Sequence, residues 1–501
     1  MKFTLFSGAS GTSAAGDLEV DLLAVALYKE NLSESEVFTL LNQRLDGLLV
    51  RVAEEERFLG KPQQTLSVHT HGKIAAPRLL LVGIGPRGES SSADLRHATA
   101  KVSRAARSVG ARRIGLILPA GRTDTRAVEL AAEGILLGRY KFDRYLTSDE
   151  AKRPDVLESV SIGLGPEADA MAFSAATRRA EIVADAVARA RDLVNEPAAE
   201  MTPTRLAAVA EELARARGLE VEVFGPARCR ELGMGMFLAV AQGSDEEPRF
   251  IHLTYRPKTP AKKRVCIIGK GVTFDSGGLS LKPSQGMEDM KVDMAGSAAV
   301  IQAIGALAAL ESPYEIHALA AATENMPSGK SYKLGDVLKS MAGKTVEINN
   351  TDAEGRLTLG DALTFALTLK PDEIFDFATL TGACMVALGP NIAGVMTNNQ
   401  ELTDRWLAAA KAAGEEMWQL PLPDRLKDQL KSDIADMKNT GDRQGGALTA
   451  GLFLKEFAGS TPWVHVDIAG PATESKEFGA LTKGGTGFAV ASLAEYLVPR
   501  T

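Results

Sequence analysis

The sequence predicts an α/β fold in two domains, a smaller N-terminal one with a mainly parallel sheet and a larger C-terminal one. Three observations lead there. At 501 residues the chain is too long for one ordinary domain. Short apolar runs rich in β-branched residues alternate with segments whose apolar residues recur at helical spacing, the pattern of strands joined by crossover helices. Residues 168–194 contain neither Gly nor Pro and are rich in Ala and Arg, which marks a long helix ending at Asn195-Glu196-Pro197. The domains are therefore expected at 1–165 and 196–501, joined by a connecting helix over 166–195.

In the first domain, residues 19–27, 78–84, 113–118 and 160–164 fit buried strands, and 92–108 and 125–140 fit helices. After Thr202-Pro203 a helix restarts the second domain. Strands are expected there at 219–224, 237–240, 250–253, 264–269, 316–321, 345–348 and 373–379. Helices are expected at 294–310 and 357–369.

Composition removes several functions. With 57 Lys+Arg against 64 Asp+Glu, a net charge of -7 argues against a protein devoted to neutralising nucleic-acid phosphates. Cys229, Cys266 and Cys384 lie far apart and the six His are mostly scattered, so no thiolate or histidine metal motif can be drawn. Any metal must be held mainly by oxygen. Three distant Cys also make a disulfide framework a poor reading and a reducing compartment the simpler one. The first residues carry no sustained apolar stretch, and the longest weakly polar run, 295–310, is too short to span a bilayer. A soluble, cytoplasmic protein without a membrane segment is expected.

Two features of the first domain point elsewhere. Residues 101–144 hold ten basic and four acidic residues, a stretch that would suit an anionic partner such as nucleic acid. A solvated helix face or a subunit contact is the preferred reading. Gly83-Ile84-Gly85-Pro86-Arg87-Gly88 satisfies the spacing of a dinucleotide fingerprint. Pro86 removes a backbone donor, however, and the acidic residue expected after the next strand is missing, so a tight strand-to-helix turn is preferred.

Polar residues cluster in the second domain where a core would not want them. Lys270, Asp275, the Ser276-Gly277-Gly278 turn and Lys282 follow the strand at 264–269, and in parallel sheets ligands bind at such carboxyl ends. Glu288, Asp289, Lys291 and Asp293 lead into the next helix. The strand at 345–348 gives way to Asn349-Asn350-Thr351-Asp352-Ala353-Glu354-Gly355-Arg356. Carboxylates crowded into one pocket repel unless cations separate them, and an oxygen-rich set with one nitrogen suits Mn, Mg or Zn. Separate N-caps and surface charges are the bland alternative.

These residues also carry a resemblance. Asn350 to Leu357, NTDAEGRL, resembles the signature octapeptide of the leucyl aminopeptidase (cytosol aminopeptidase) family of dinuclear-metal exopeptidases. Residues 269–278, GKGVTFDSGG, and 290–297, MKVDMAGS, resemble its two partner loops. The likeness continues through 190–203, 376–383 and 463–470, covering about residues 170–500. The first 165 residues share only a general α/β character with the family.

The resemblance implies a C-terminal catalytic domain with a mixed central sheet covered by helices. It implies two divalent ions, Mn or Zn with Mg and Co as further options. One would be held by Asp275, Asp352 and Glu354, the other by Lys270, Asp275, Asp293 and Glu354. As a ligand Lys270 must be neutral, far from its usual state. Lys282 would stay charged and stabilise an oxyanion, and Arg356 would hold a bicarbonate that acts as general base. Met290, Thr379 and Gly382 match an apolar pocket for the first side chain. A peptide with a free N-terminus is the implied substrate, leucine and other apolar residues the preferred first residues, and a homohexamer the implied assembly.

Two positions qualify this reading. Ala199 stands where the family usually has Asn. His465, in the C-terminal motif, is read as a satisfied structural histidine rather than a catalyst.

Overall fold

The computed structural model describes residues 1–7, 15–29, 32–149, 154–164 and 169–500. It divides into two compact units, Met1–Asp185 with Lys476–Thr482, and Ala186–Ser475 with Lys483–Thr501. The division falls within one helix, Ala170–Asn195. The expected start of that helix, 166–168, lies outside the described residues.

The first unit is built on six strands, β1 (Lys2–Ser7), β2 (Leu22–Leu27), β3 (Thr65–His69), β4 (Arg78–Gly83), β5 (Arg113–Ile117) and β6 (Ser159–Leu164). Their order is β1-β6-β5-β2-β4-β3, parallel except for β3. Every residue of β2 is buried, as a central parallel strand requires. Antiparallel β3, at the edge, alternates exposed and buried residues and was not expected as a strand.

The helices Ser92–Ser108 and Thr125–Gly138 pack against one another. A Cβ on Gly134 would come within 2.2 Å of the Arg96 carbonyl oxygen, so the two backbones approach as only glycine allows. Ser91 and Asp94 cap the first of these helices reciprocally.

The Gly83–Gly88 segment is a turn. The N–H groups of Gly83, Ile84 and Gly85 donate to Gln64, Leu27 and Gly60 carbonyls at 2.8, 2.9 and 3.0 Å, which leaves those amides spent. Much of the basic stretch is likewise paired within the unit. Arg104 and Lys101 face Glu477, Arg112 faces Glu158, Arg126 faces Glu129 and Arg139 faces Asp155.

The second unit carries β7 (Glu220–Phe224), β8 (Arg249–Tyr255), β9 (Arg264–Asp275), β10 (Glu315–Asn325), β11 (Val337–Lys339), β12 (Thr345–Glu347), β13 (Glu373–Ala378), β14 (Ala393–Thr397), β15 (Met417–Gln419), β16 (Met437–Lys438) and β17 (Trp463–Asp467). Eight of them form a mixed sheet in the order β15-β14-β17-β13-β9-β10-β8-β7. Its centre, β17-β13-β9-β10, is parallel. The helices Gly235–Ala241, Gly355–Thr368 and Gly446–Ala458 join one core cluster with the sheet residues Cys266, Ile268, Leu319 and Ile374. The helix Ala295–Ala309 packs on β9, β10 and β13 and meets Pro203–Arg217 and Val490–Leu497. Residues Ser284–Ala309 are long and apolar enough to cross a membrane, but 83% of their most apolar window is buried in this core.

Two expectations need correction. Residues 237–240 are helical, within Gly235–Ala241; a four-residue apolar run has no periodicity to separate a buried strand from a buried helix turn. The strand expected to stop at Gly269 continues to Asp275, so Lys270 and Asp275 lie on β9 rather than after it. The strand expected at 345–348 is present as β12, which pairs with β11 and β16 in a small sheet apart from the central one.

Candidate metal centre

Strand β9 is buried almost throughout, and its inward positions near the carboxyl end are occupied by polar groups. Lys270 is 3% exposed and Asp275 2%. The chain can place them because neighbouring backbones are close. A Cβ on Gly269 would lie 2.4 Å from Gly296, and one on Gly355 would lie 2.5 Å from Lys270 Cε and 2.7 Å from its Nζ. Glycine at the start of the Gly355–Thr368 helix therefore leaves the volume that the lysine head fills.

Two corners result. In one, Lys270 Nζ lies 2.7 Å from Asp293 and 2.8 Å from Glu354 Oε1, and donates to the Thr379 carbonyl at 3.2 Å. In the other, Lys282 Nζ lies 2.7 Å from Asp275 Oδ2 and also bonds Asp352. Asp275, Asp293 and Glu354, all buried, offer oxygens within 4.8 Å of one another. Asp352 is more open, its side chain 34% exposed. The structure thus brings together Lys270, Asp275, Lys282, Asp293, Asp352 and Glu354.

Four carboxylates here meet two ammonium groups, and the imbalance appears in their proton affinities. Burial pushes Asp293 well above the carboxylate range, against the pull of Lys270, and also raises Glu354 and Asp352. Burial alone would lower Lys270, but Asp293, Glu354 and Asp275 outweigh it and raise the lysine. Lys282 is raised in the same way by Asp275 and Glu354. Glu354 Oε2 is buried without a hydrogen-bond partner. An excess of buried negative charge, an unbonded carboxylate oxygen and converging hard oxygens with an amine beside them form a donor set that fits divalent cations.

Arg356 opens the next helix turn, is 7% exposed and donates Nη1 to the Asn439 carbonyl at 2.8 Å. Its Nε is buried with no partner, a donor left for an anion. Burial brings its pKa down to about 10, opposed by Glu354 and Asp467.

The expected pocket residues lie on the segment that carries Asp293 and on the one that follows β13. Thr379 Oγ1 donates to Asp293 Oδ1 at 2.7 Å. Met290 begins the 3-10 turn that carries Asp293. Gly382 is exposed, with nothing within 4 Å of where a Cβ would sit. His465 is half satisfied. Nδ1 meets Asp376 Oδ1 at 2.5 Å, whereas Nε2 is buried and unpartnered. Ala199 is exposed.

Several supporting residues escaped the sequence reading. Asn325 Nδ2 donates to Asp275 Oδ1 at 2.8 Å and to the Thr351 carbonyl at 3.0 Å, and Tyr332 donates to that carbonyl at 2.7 Å. Thr351 in turn donates to the Gly277 carbonyl at 2.7 Å, tying the octapeptide to the first loop. Asn325 pairs with Asp275 in the β9–β10 register. Nothing local singles it out, because β10 also carries Glu315, His317, Thr323 and Glu324.

Comparison with known proteins covers both units. Residues 188–494 match the cytosol aminopeptidase family, catalytic domain, and residues 24–149 match the cytosol aminopeptidase family, N-terminal domain. The first domain therefore shares more with the family than a general α/β character. A probable cytosol aminopeptidase of Thermosynechococcus vestitus is 44% identical over 493 residues, covering 97% of this chain and 98% of the relative. One from a Synechococcus is 46% identical over 473 residues, covering 93% and 92%. Among solved structures, a tomato leucine aminopeptidase mutant superposes with a TM-score of 0.89 at 35% identity, covering 100% of this chain and 97% of that one. The bottromycin maturation enzyme BotP in complex with Mn gives 0.82 at 36% identity, covering 95% and 99%.

Proposed function

The chain belongs to the cytosol aminopeptidase family, a metal-dependent exopeptidase hydrolase, and from that premise we propose a two-metal leucyl aminopeptidase acting in intracellular peptide turnover. The observation that carries the proposal is the buried convergence of Asp275, Asp293 and Glu354 with Lys270 beside them. Asp275, Asp352 and Glu354 would hold one ion and Lys270, Asp275, Asp293 and Glu354 the other, Asp275 and Glu354 serving both. Mn or Zn is the favoured metal, and Mg and Co are accepted by such ligands; the manganese complex of BotP supports the first.

When bound, the ions would supply a Lewis acid for the scissile carbonyl and a lowered pKa for an attacking water. The remaining tasks fall to side chains. Lys270 must surrender a proton that its carboxylate neighbours hold tightly. Lys282, kept charged by Asp275 and Glu354, would stabilise the oxyanion as it develops. Arg356, with its unpartnered Nε at a helix start, would hold the bicarbonate that serves as base. Met290, Thr379 and Gly382 would line the space for the first side chain, where leucine and other apolar residues are preferred. Met suits such a pocket because it adapts to several shapes.

The catalytic domain would span 196–501, following the connecting helix at 166–195 and the N-terminal domain at 1–165. Family membership supports a homohexamer in the cytoplasm. The test compares leucine amide with N-acetyl-leucine amide, before and after chelation. Hydrolysis is expected only for the free amine, lost on chelation and restored by Mn or Zn. Cleavage of the acetylated substrate, or indifference to chelator, would contradict the proposal.

A further inference from the structure

Asp467 closes β17 with its side chain fully buried, at 0% exposure. Isolating a carboxylate in this way is costly unless its oxygens are bonded. Oδ1 accepts from the Leu380 N–H at 3.1 Å and from the Ala469 N–H at 3.1 Å, and Oδ2 accepts from Thr381 Oγ1 at 2.7 Å. Thr381 Oγ1 then accepts from the Cys384 N–H at 3.0 Å, capping the helix Gly382–Leu388.

The turn from Thr379 to Gly382 is thus held from two sides. At its beginning, Thr379 donates to Asp293 and accepts from Lys270, both in the metal centre. Further along, Leu380 and Thr381 are fixed by Asp467. The carboxylate does not stand alone electrostatically. His465, bonded to Asp376, and Arg356 both lie close enough to interact with it, which offsets part of the burial penalty. An asparagine would fill the same volume but offer one acceptor oxygen, and its amide would meet a donor. Three donors converging on one side chain call for the charged form.

We infer that Asp467 is a positioning residue that, through Leu380 and Thr381, fixes the turn against which the first side chain of the substrate packs. It touches neither substrate nor metal. The inference rests on the proposed pocket role of Thr379 and Gly382, and it assigns the specificity of that pocket to a buried clamp behind it. Loosening the clamp should weaken and broaden side-chain recognition while the carboxylates of the metal centre stay in place.

The experiment uses full-length Asp467→Asn, Thr381→Val and Thr381→Ser. For each, kcat and KM on leucine amide and alanine amide are measured beside bound metal and melting temperature. Thr381→Val removes only the hydroxyl arm and remains informative if Asp467→Asn does not fold. The expected result for Thr381→Val is a KM for leucine amide raised at least about tenfold, kcat changed less than about threefold, and a narrowed leucine-to-alanine preference. Metal content should match the wild type, and Thr381→Ser should restore KM. A folded Thr381→Val enzyme with unchanged KM and preference overturns the inference, as does a loss of kcat together with metal. Wild-type enzyme inactive on both amides would instead sink the aminopeptidase reading and this inference with it.

Discussion

Lys270 Nζ lies 2.8 Å from Glu354 Oε1, the first on strand β9 and the second immediately before the Gly355–Thr368 helix. This contact joins the two segments that carry most of the acids of the site. It exists because the residue after Glu354 has no side chain.

Replacing that glycine gives the first prediction. A Cβ at position 355 would sit 2.5 Å from Lys270 Cε, and the lysine cannot yield far with Asp293 and Glu354 around it. Alanine is ordinarily about 1 kcal/mol better than glycine inside a helix, so propensity will not lower stability. Gly355→Ala should reduce kcat/KM by about 100-fold or more through misplacement of Lys270, without a matching fall in melting temperature. Near-normal activity would show that Lys270 need not occupy that volume.

Lys282 offers a separation of roles. It sits against Asp275 and Asp352 but is assigned to the oxyanion rather than to a metal. Lys282→Ala should keep the wild-type metal content and lose about 100- to 1,000-fold in kcat, the usual effect of removing one oxyanion donor. Loss of the metals in this variant would make Lys282 part of the metal support instead.

A third prediction concerns acid stability away from the site. His317 Nδ1 faces His252 Nε2 at 2.9 Å, and His317 Nε2 faces Glu315 at 3.0 Å. Burial, reinforced by His252, brings the His317 pKa down to about 4, from about 6.5 in an unfolded chain. The unfolded chain therefore takes up this proton first as pH falls. Stability from keeping His317 neutral is complete above about pH 6.5 and is lost progressively towards pH 4. Melting temperatures of wild type and His317→Asn across this range should converge as the pH drops. Parallel curves would show that His317 titrates normally in the folded protein.

How far the sequence could reach is clear from particular elements. The helix Ser92–Ser108 was predicted to the residue because its apolar residues keep helical spacing throughout. The acids of the site were recognisable because their glycine-rich surroundings form specific motifs. Residues 237–240 were misread, since burial on all sides erases periodicity. Asn325, Tyr332 and Asp467 were missed for a different reason. Each serves the site through a contact with a distant segment, as Asn325 does with Asp275 and Thr351, and no local pattern announces such a partner.

Asp275 is where the proposed function stands or falls. Its Oδ1 accepts from Gly277 N–H and Asn325 Nδ2 at 2.9 and 2.8 Å, and its Oδ2 lies 2.7 Å from Lys282 Nζ, so both oxygens are held in place within the site. Metal content and leucine amide hydrolysis should be measured together on wild type and Asp275→Asn, purified side by side. We predict two divalent ions per chain and turnover in the wild type, and loss of both in the folded variant. An Asp275→Asn protein that keeps two metals and normal turnover would contradict the site.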